Sequence, residues 1–234
     1  MQPIKPFDAE FDAYSADYDS HVNRALAFTG AKVDFFTRVK TEYLLAFMAA
    51  HVPALSDAAV LDVGCGTGNC HAALSGRLAR LCGIDVSASS IETAKERNPS
   101  VEYAHYNGLH IPYADAAFDF AFAVCVFHHV PLDQRGVLVA DIRRVLKPGG
   151  FVIIFEHNPF NPLTMRVVNR CEFDRDAILL TPRTCEDMIE GSGFGKVDTR
   201  FILNVPAVNA PLRAVDKWLS KLPLGAQYYT AGQK

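Results

Sequence analysis

Several features that mark particular classes of protein are missing from this sequence. The net charge is −3 and no stripe of lysine and arginine stands out, so we do not expect a nucleic-acid partner. None of the six cysteines forms a C-x-x-C pair, so we expect neither a metal site nor a disulfide framework. The N-terminal residues lack the apolar core of a signal peptide, and no apolar run approaches the roughly 20 residues that cross a bilayer. We therefore expect a cytoplasmic protein with no membrane partner.

An apolar strand that runs into a glycine-rich turn is the most informative motif. Val60-Leu61-Asp62-Val63 leads into Gly64, Gly66 and Gly68. Glycine is needed where the backbone turns sharply and a ligand presses against it. A second short apolar stretch, residues 81–87, contains Asp85 at its end. An acid about 20 residues past the glycines suits the two hydroxyls of a ribose, so these motifs indicate a nucleoside-containing cofactor at the ends of two parallel strands.

The glycine spacing discriminates between cofactors. A dinucleotide fingerprint reads G-x-G-x-x-G, which would place its third glycine at position 69. That position is Asn69, and the glycines are spaced G-x-G-x-G instead. The spacing argues against a nicotinamide-dependent oxidoreductase, which stays as the less favoured alternative.

At this point the sequence resembles the class I S-adenosylmethionine-dependent methyltransferases, in particular those with the type 11 methyltransferase domain. The resemblance covers about residues 7–203, and four segments match in the order of the family. These segments are 60–68, 83–87, 107–130 and 142–157.

The resemblance and the alternation of strands with helices imply one fold. It is an α/β fold of the Rossmann-like, doubly wound type, with a mostly parallel seven-stranded sheet. We expect a helical cap over residues 1–57 and a cofactor-binding core over 58–234, with an insertion at 204–225. The predicted strands lie near 59–63, 81–85, 101–105, 118–124 and 151–155, with an antiparallel edge hairpin from 195–203 and 226–232; the predicted helices lie near 68–80, 89–97, 134–146 and 182–191.

The resemblance also implies that S-adenosylmethionine is the cofactor. Gly64, Cys65 and Gly66 would cradle its methionine portion through backbone groups, and Asp62 would approach its amino group. Asp85 would accept hydrogen bonds from the ribose hydroxyls, since a carboxylate can do so with both oxygens. The adenine would contact Val86 and the segment Asn107, Gly108 and Leu109, while Cys125 would line the route to the substrate and Tyr18 would lie in a segment that closes over the cofactor.

Asn107 departs from the acidic residue that these enzymes often have at its position. Its amide carbonyl can still accept a hydrogen bond and its NH₂ can donate one. A plain turn at Asn107 is the alternative.

Two histidines are candidates for a catalytic base. His129 follows the fourth predicted strand, and His157 follows the fifth, at the edge where function resides in this fold class. An imidazole titrates near neutral pH, so either could accept a proton from a hydroxyl. Packing and loop bracing are the alternatives. The sequence thus predicts in-line transfer of a methyl group to a small-molecule acceptor, or else a non-catalytic protein that binds the same cofactor.

Overall fold

The computed structural model describes residues 33–171, 177–206 and 209–234. Strands and helices alternate along most of this length, as the sequence predicts. The strands are β1 Ala59–Val63, β2 Arg80–Asp85, β3 Glu102–His105, β4 Phe118–Val124, β5 Leu146–His157, β6 Gly195–Ile202 and β7 Gln227–Gln233. The helices are α1 Val33–His51, α2 His71–Leu74, α3 Ala88–Arg97, α4 Leu132–Val145, α5 Pro162–Val168, α6 Pro182–Gly191 and α7 Ala210–Trp218.

The strands form one seven-stranded sheet in the order β3-β2-β1-β4-β5-β7-β6. Strands β1 to β5 run parallel to one another, and β7 runs antiparallel between β5 and β6. The predicted doubly wound sheet with an antiparallel edge pair is confirmed. Because the chain crosses to opposite sides after β1 and β4, the carboxyl ends of these two strands border a crevice.

Alternating side chains of the central strands build two apolar clusters, one on each side of the sheet. On one side Leu61 and Ile154 pack with residues of α4 and α6, among them Leu138 and Ile189. On the other side the aromatic residues of β4 and β5 pack with one face of α1. This second cluster contains Phe120, Phe122, Phe151 and Phe155 together with Val39, Leu44 and Met48.

Two predicted elements differ from the structure. The helix predicted near 68–80 is only the four-residue α2, because Ser75 is extended and Gly76 has a φ of +79°. A helix cannot continue through a residue in the left-handed region. The fifth strand begins at Leu146 rather than near 151, so that Pro148 and the two following glycines lie within it.

Much of the predicted N-terminal cap, residues 1–32, lies outside the described residues, and so does Tyr18. Within the described part of the cap, α1 shares its apolar cluster with the sheet. The segment between β6 and β7 contains α7. None of the described helices is both long and apolar enough to span a bilayer.

A buried carboxylate fixes α7 against the rest of the fold. Asp216 is fully buried and accepts hydrogen bonds from the backbone N–H groups of Leu203 and Asn204, at 3.1 and 2.6 Å. The hydroxyl of Tyr43 on α1 donates to the same carboxylate at 2.6 Å. Burial and the neighbouring Asp216 raise the pKa of Tyr43, so this phenol stays protonated as the donor. One side chain therefore joins α1, α7 and the loop after β6.

Adjacent residues of α4 test how much the core contributes to stability. Leu138 is fully buried and Val137 is 53% exposed. We expect Leu138→Ala to lower the free energy of unfolding by about 2–5 kcal/mol, because it removes apolar contacts and leaves a cavity. Val137→Ala should change it by no more than about 0.5 kcal/mol. Urea denaturation of both variants measures the two losses of stability. Equal losses would contradict the orientation of α4, which buries Leu138 and exposes Val137.

Candidate functional site

The glycine loop after β1 adopts a backbone that other residues rarely accept. Gly64, Gly66 and Gly68 have φ values of +75°, +52° and +71°. A Cβ on Gly64 would lie 2.5 Å from the side chain of Val126, so this glycine permits close contact between the loop and the end of β4. A Cβ on Gly66 would meet no atom of the described residues within 4 Å. Gly66 therefore presents bare backbone to open space.

Asp85 connects this loop to the end of β2. Its Oδ2 accepts a hydrogen bond from the Gly66 N–H at 2.7 Å, and its Oδ1 accepts one from the Ser87 N–H at 2.9 Å. The residue is only 8% exposed. Burial raises the pKa of Asp85, although the two N–H groups oppose that rise. Each carboxylate oxygen keeps a second lone pair, so Asp85 can accept further hydrogen bonds from a ligand.

Asp62, at the end of β1, belongs to a buried hydrogen-bond chain. The Nε2–H of His71 donates to Asp62 Oδ2 at 2.9 Å, and the Tyr103 hydroxyl donates to His71 Nδ1. Asp62 Oδ1 is buried and has no hydrogen-bond partner within the described residues. A buried carboxylate oxygen without a donor is costly, so this atom marks a place where a ligand donor fits.

Asp62, His71 and Cys70 bring one potential metal-ligand atom each within 4.8 Å of the others. Burial and the adjacent Asp62 raise the pKa of the Cys70 thiol well above its ordinary value. The thiol is therefore protonated and donates to Asp62 Oδ2 at 3.7 Å. In this protonation state the three residues form a hydrogen-bonded cluster.

The turn after β3 uses the side chain of Asn107 locally. Its Oδ1 accepts from the N–H groups of Leu109 and His110, at 3.1 and 2.8 Å. These bonds occupy both lone pairs of the amide carbonyl, so the NH₂ group is the one suited to a ligand. Gly108 has a φ of +84°, and a Cβ there would lie 3.4 Å from Val86.

A second polar group lies at the ends of β4, β5 and β7. Cys125 has a φ of +57°. Its Sγ accepts hydrogen bonds from the Lys40 ammonium at 3.8 Å and from the Gln227 side-chain amide at 3.7 Å. The Gln227 Nε2 also lies 3.3 Å from His157 Nδ1. Gln227 Oε1 is buried and lacks a partner among the described residues. Sequence reasoning had missed Lys40 and Gln227, because they reach this point from α1 and β7.

Sequence reasoning had also missed a buried pair formed by Glu156 and His128. Glu156 is fully buried, and its Oε1 accepts from the Phe127 N–H at 2.9 Å. Its Oε2 accepts from His128 Nδ1 at 2.5 Å. The His128 ring centroid lies 4.1 Å from that of His129 and 5.3 Å from that of His157. The two predicted histidines therefore flank a third, which a carboxylate orients.

Glu156 lies within the electrostatic reach of all three imidazoles. Burial alone would raise its pKa, but His128 and, to a smaller extent, His157 and His129 hold the pKa of Glu156 below its usual range. Other groups face this carboxylate as well. The Arg135 guanidinium, which donates to the carbonyls of residues 128, 130 and 178, lies on α4, while Tyr228 and Cys185 approach from β7 and α6.

One cavity of about 580 Å³ connects the glycine loop with the histidine cluster. Leu109 is outside its lining, and Tyr18 is outside the described residues. The structure brings the remaining predicted site residues together around this cavity: Asp62, Gly64, Cys65, Gly66, Asp85, Val86, Asn107, Gly108, Cys125, His129 and His157. Apolar residues of α1, α5 and the segment between β6 and β7 complete the wall.

Residues 61–154 match the family described as "Methyltransferase domain". The O-methyltransferase resE of Aspergillus sclerotiorum is 34% identical over 123 residues, which are 50% of this chain and 46% of that protein. Demethylmenaquinone methyltransferase of Staphylococcus aureus (strain MRSA252) is 36% identical over 102 residues, which are 41% of this chain and 42% of that protein. The chain thus spans about half the length of the curated relatives it matches.

Solved structures agree with the sequence comparison. A methyltransferase from Thermotoga maritima, described as a possible histamine N-methyltransferase, superposes with a TM-score of 0.67 at 18% identity and covers 96% of this chain and 98% of that one. Phosphoethanolamine N-methyltransferase 2 of Haemonchus contortus, solved with S-adenosyl-L-methionine, gives 0.66 at 18% identity and covers 100% of this chain and 61% of that one. Residues 61–154 are thus similar in sequence to a methyltransferase domain, and the chain has the fold of the solved methyltransferases; both findings agree with the resemblance seen in its sequence.

Proposed function

We propose that this protein transfers a methyl group from S-adenosylmethionine to a small-molecule acceptor. The proposal is carried by one observation: Asp85 shares a cavity with an Asp62 oxygen that has no hydrogen-bond partner among the described residues. These two carboxylates lie on either side of the glycine loop. They match a ligand that carries a ribose diol and, farther along, an ammonium group.

The residues present fit this cofactor at both of its ends. Asp85 would accept from the ribose hydroxyls, and the bare backbone at Gly66 leaves room for the ligand. Asp62 Oδ1 would accept from the ammonium group of the amino-acid end. Lys40 is the only lysine or arginine among the described residues that line the cavity, and its charge complements the carboxylate at that same end.

The cofactor supplies an electrophilic methyl group, so the chain must orient the acceptor and exclude water. For a hydroxyl acceptor, a proton has to leave the oxygen as its bond to carbon forms. His157 or His129 would take that proton at a ring nitrogen. The ionised Glu156 would stabilise the resulting imidazolium, since an anion close by favours the charged form of histidine.

The acceptor half of the cavity supports a small molecule with an apolar body. Phe155, Leu203 and Val167 contribute apolar surface there, and His157 and Gln227 contribute hydrogen-bonding groups. The names of the curated relatives, an O-methyltransferase and a demethylmenaquinone methyltransferase, are in keeping with such an acceptor. Calorimetry with S-adenosylhomocysteine and with NAD, followed by methyl-transfer assays on hydroxylated aromatic compounds, tests the proposal.

Substitutions at two glycines with similar backbone conformations distinguish an effect on ligand binding from an effect of backbone strain. Gly66 and Gly76 have φ values of +52° and +79°, and in the part of the chain that the structure describes, a Cβ on either would meet no atom within 4 Å. Alanine should destabilise the fold by about 1–2 kcal/mol at each position. Gly66→Ala should in addition weaken S-adenosylhomocysteine binding by roughly tenfold or more, because its methyl group enters the cavity, whereas Gly76→Ala should bind normally. Calorimetry measures the binding and thermal melts measure the stability. Normal binding by Gly66→Ala would contradict the proposal that the glycine loop binds the cofactor.

The role of Asp85 is tested by Asp85→Asn, which keeps an acceptor oxygen but removes the charge. Hydrogen bonds to a charged acceptor contribute about 1.5–3 kcal/mol, so the affinity for S-adenosylhomocysteine should fall by roughly 10- to 100-fold. The exposed Asp198 offers the control Asp198→Asn, which should bind like the parent. An unchanged affinity in folded Asp85→Asn would remove the ribose assignment.

The histidine cluster is tested by pH–rate profiles. Loss of the true base, by His157→Ala or His129→Ala, should lower turnover by roughly 10²–10⁴-fold while affinity for S-adenosylhomocysteine is kept. Glu156→Gln removes the anion that favours protonated imidazole, so the pKa of the base should fall. The acidic limb of the profile should therefore shift to lower pH. If no histidine substitution changes turnover, positioning alone accounts for the rate.

A further inference from the structure

Exposed apolar side chains are concentrated in two segments that each contribute residues to the wall of the cavity. Nine large apolar side chains are exposed in the described part of the chain, and six of them lie in two segments, residues 158–171 and residues 203–226. We call these two segments, without residues 207 and 208, the rim. The six are Phe160, Leu163, Val215, Trp218, Leu222 and Leu224, and Trp218 is 82% exposed.

The two segments of the rim lie side by side. The Asn161 side chain donates to the Leu224 carbonyl at 2.8 Å, and the Asn158 side chain donates to the Pro223 carbonyl at 3.2 Å. Leu163 and Leu224 also line the cavity. The exposed apolar surface is thus continuous with the wall of the candidate acceptor site.

The charge of the rim is opposite to that of the chain. The chain carries a net charge of −3, but the rim contains five basic residues and a single acid. That acid is Asp216, which is fully buried and bonded to Tyr43 and to backbone N–H groups. The basic residues are Arg166, Arg170, Arg213, Lys217 and Lys221.

The two lysines of the rim are exposed beside its most exposed apolar residue. Lys217 precedes Trp218 directly, and Lys221 precedes Leu222. Within residues 33–171, 177–206 and 209–234, neither lysine has a carboxylate within salt-bridge distance, whereas Arg213 pairs with Glu42 on α1 at 3.2 Å. An aromatic ring flanked by lysines and aliphatic side chains is the composition that binds the interface of an anionic lipid bilayer.

We propose that the rim docks on the surface of a membrane that contains anionic phospholipid, with the mouth of the cavity facing the lipid. The apolar side chains enter the interface and the lysines contact the lipid phosphates. The sequence alone had predicted no membrane partner, because that reasoning sought only spanning segments and lysine- or arginine-rich stripes. Combined with the proposed methyl transfer, on which this last point rests, the docking predicts an acceptor with an apolar tail that is reached from the bilayer.

The single tryptophan of the chain reports directly on this contact. Vesicles of phosphatidylcholine mixed with phosphatidylglycerol should shift the Trp218 emission to the blue and carry the protein upward in a flotation gradient. Pure phosphatidylcholine should bind much less, and high salt should weaken binding to the anionic vesicles. This measurement needs neither cofactor nor acceptor, so it stands apart from the proposed function.

Matched variants locate the contact. Each lysine near an anionic surface contributes about fivefold to partitioning, so Lys217→Glu with Lys221→Glu should lower vesicle binding by roughly 25-fold or more. Arg77→Glu with Lys196→Glu makes the same change of charge elsewhere on the surface and should have a much smaller effect. Phe160→Ser should weaken binding, and Leu132→Ser, at a residue that is 62% exposed compared with 64% for Phe160, should not.

The outcomes that overturn the proposal are distinct. Absence of binding to anionic vesicles at low salt, or equal losses in the two charge-reversal pairs, would refute membrane docking at the rim. A blue shift that depends on protein concentration without vesicles would identify a second copy as the occupant instead. Vesicle binding without methyl transfer to any apolar acceptor would leave the docking standing and refute the proposed function.

Discussion

The hydrogen bond from the Gly66 N–H to the Asp85 carboxylate joins the two strand ends on which the site is built. It holds the glycine loop at the tip of β1 against the tip of β2, where the chain would otherwise make two independent turns. The N–H groups of Gly64 and Cys65 reinforce it by donating to the Ile84 carbonyl, at 2.8 and 3.0 Å. The loop conformation is thus fixed before any ligand arrives, and this preorganisation lowers the cost of binding.

The cavity combines two electrostatic settings that suit different tasks. Around the glycine loop, Asp62 and Asp85 offer acceptor oxygens to a ligand rich in hydrogen-bond donors. At the end of β5 lies the carboxylate of Glu156, and its oxygens accept hydrogen bonds from the Phe127 N–H and from His128. The negative charge of Glu156 therefore acts on the neighbouring imidazoles. The first setting suits recognition and the second suits proton transfer.

The sequence predicts the parts of the fold whose signals are local. Strands β1 and β4 have the predicted bounds because their apolar residues run between clear turn signals. Helix α6 has its predicted bounds too, with Thr181 as its N-cap and Pro182 in its first turn. Residues 68–80 were wrongly predicted as one helix, because Gly76 has a positive φ and stops the helix after Leu74. The glycine loop and Asp85 were found because spacing along one chain segment encodes them.

The residues that sequence reasoning missed depend on contacts between distant segments. Lys40 and Gln227 meet at Cys125 from positions 85 residues before it and 102 residues after it. The Glu156–His128 bond links adjacent strand ends that are 28 residues apart. No local pattern distinguishes His128 from His129, because only the position of Glu156 determines which imidazole is held. Such pairs follow from the order of strands in the sheet.

The buried Asp216 has a consequence for how this protein can diversify. The segments that close the acceptor half, α5 and the stretch containing α7, lie outside the matched methyltransferase domain of residues 61–154. Under the proposed function, substitutions there would reshape the acceptor half of the cavity while the half that contains the glycine loop stays intact. Asp216 sets the limit of that freedom, because it ties the variable stretch to Tyr43 on α1. The residues around the acceptor half can therefore vary, while the Asp216 carboxylate keeps this stretch in a fixed position relative to α1.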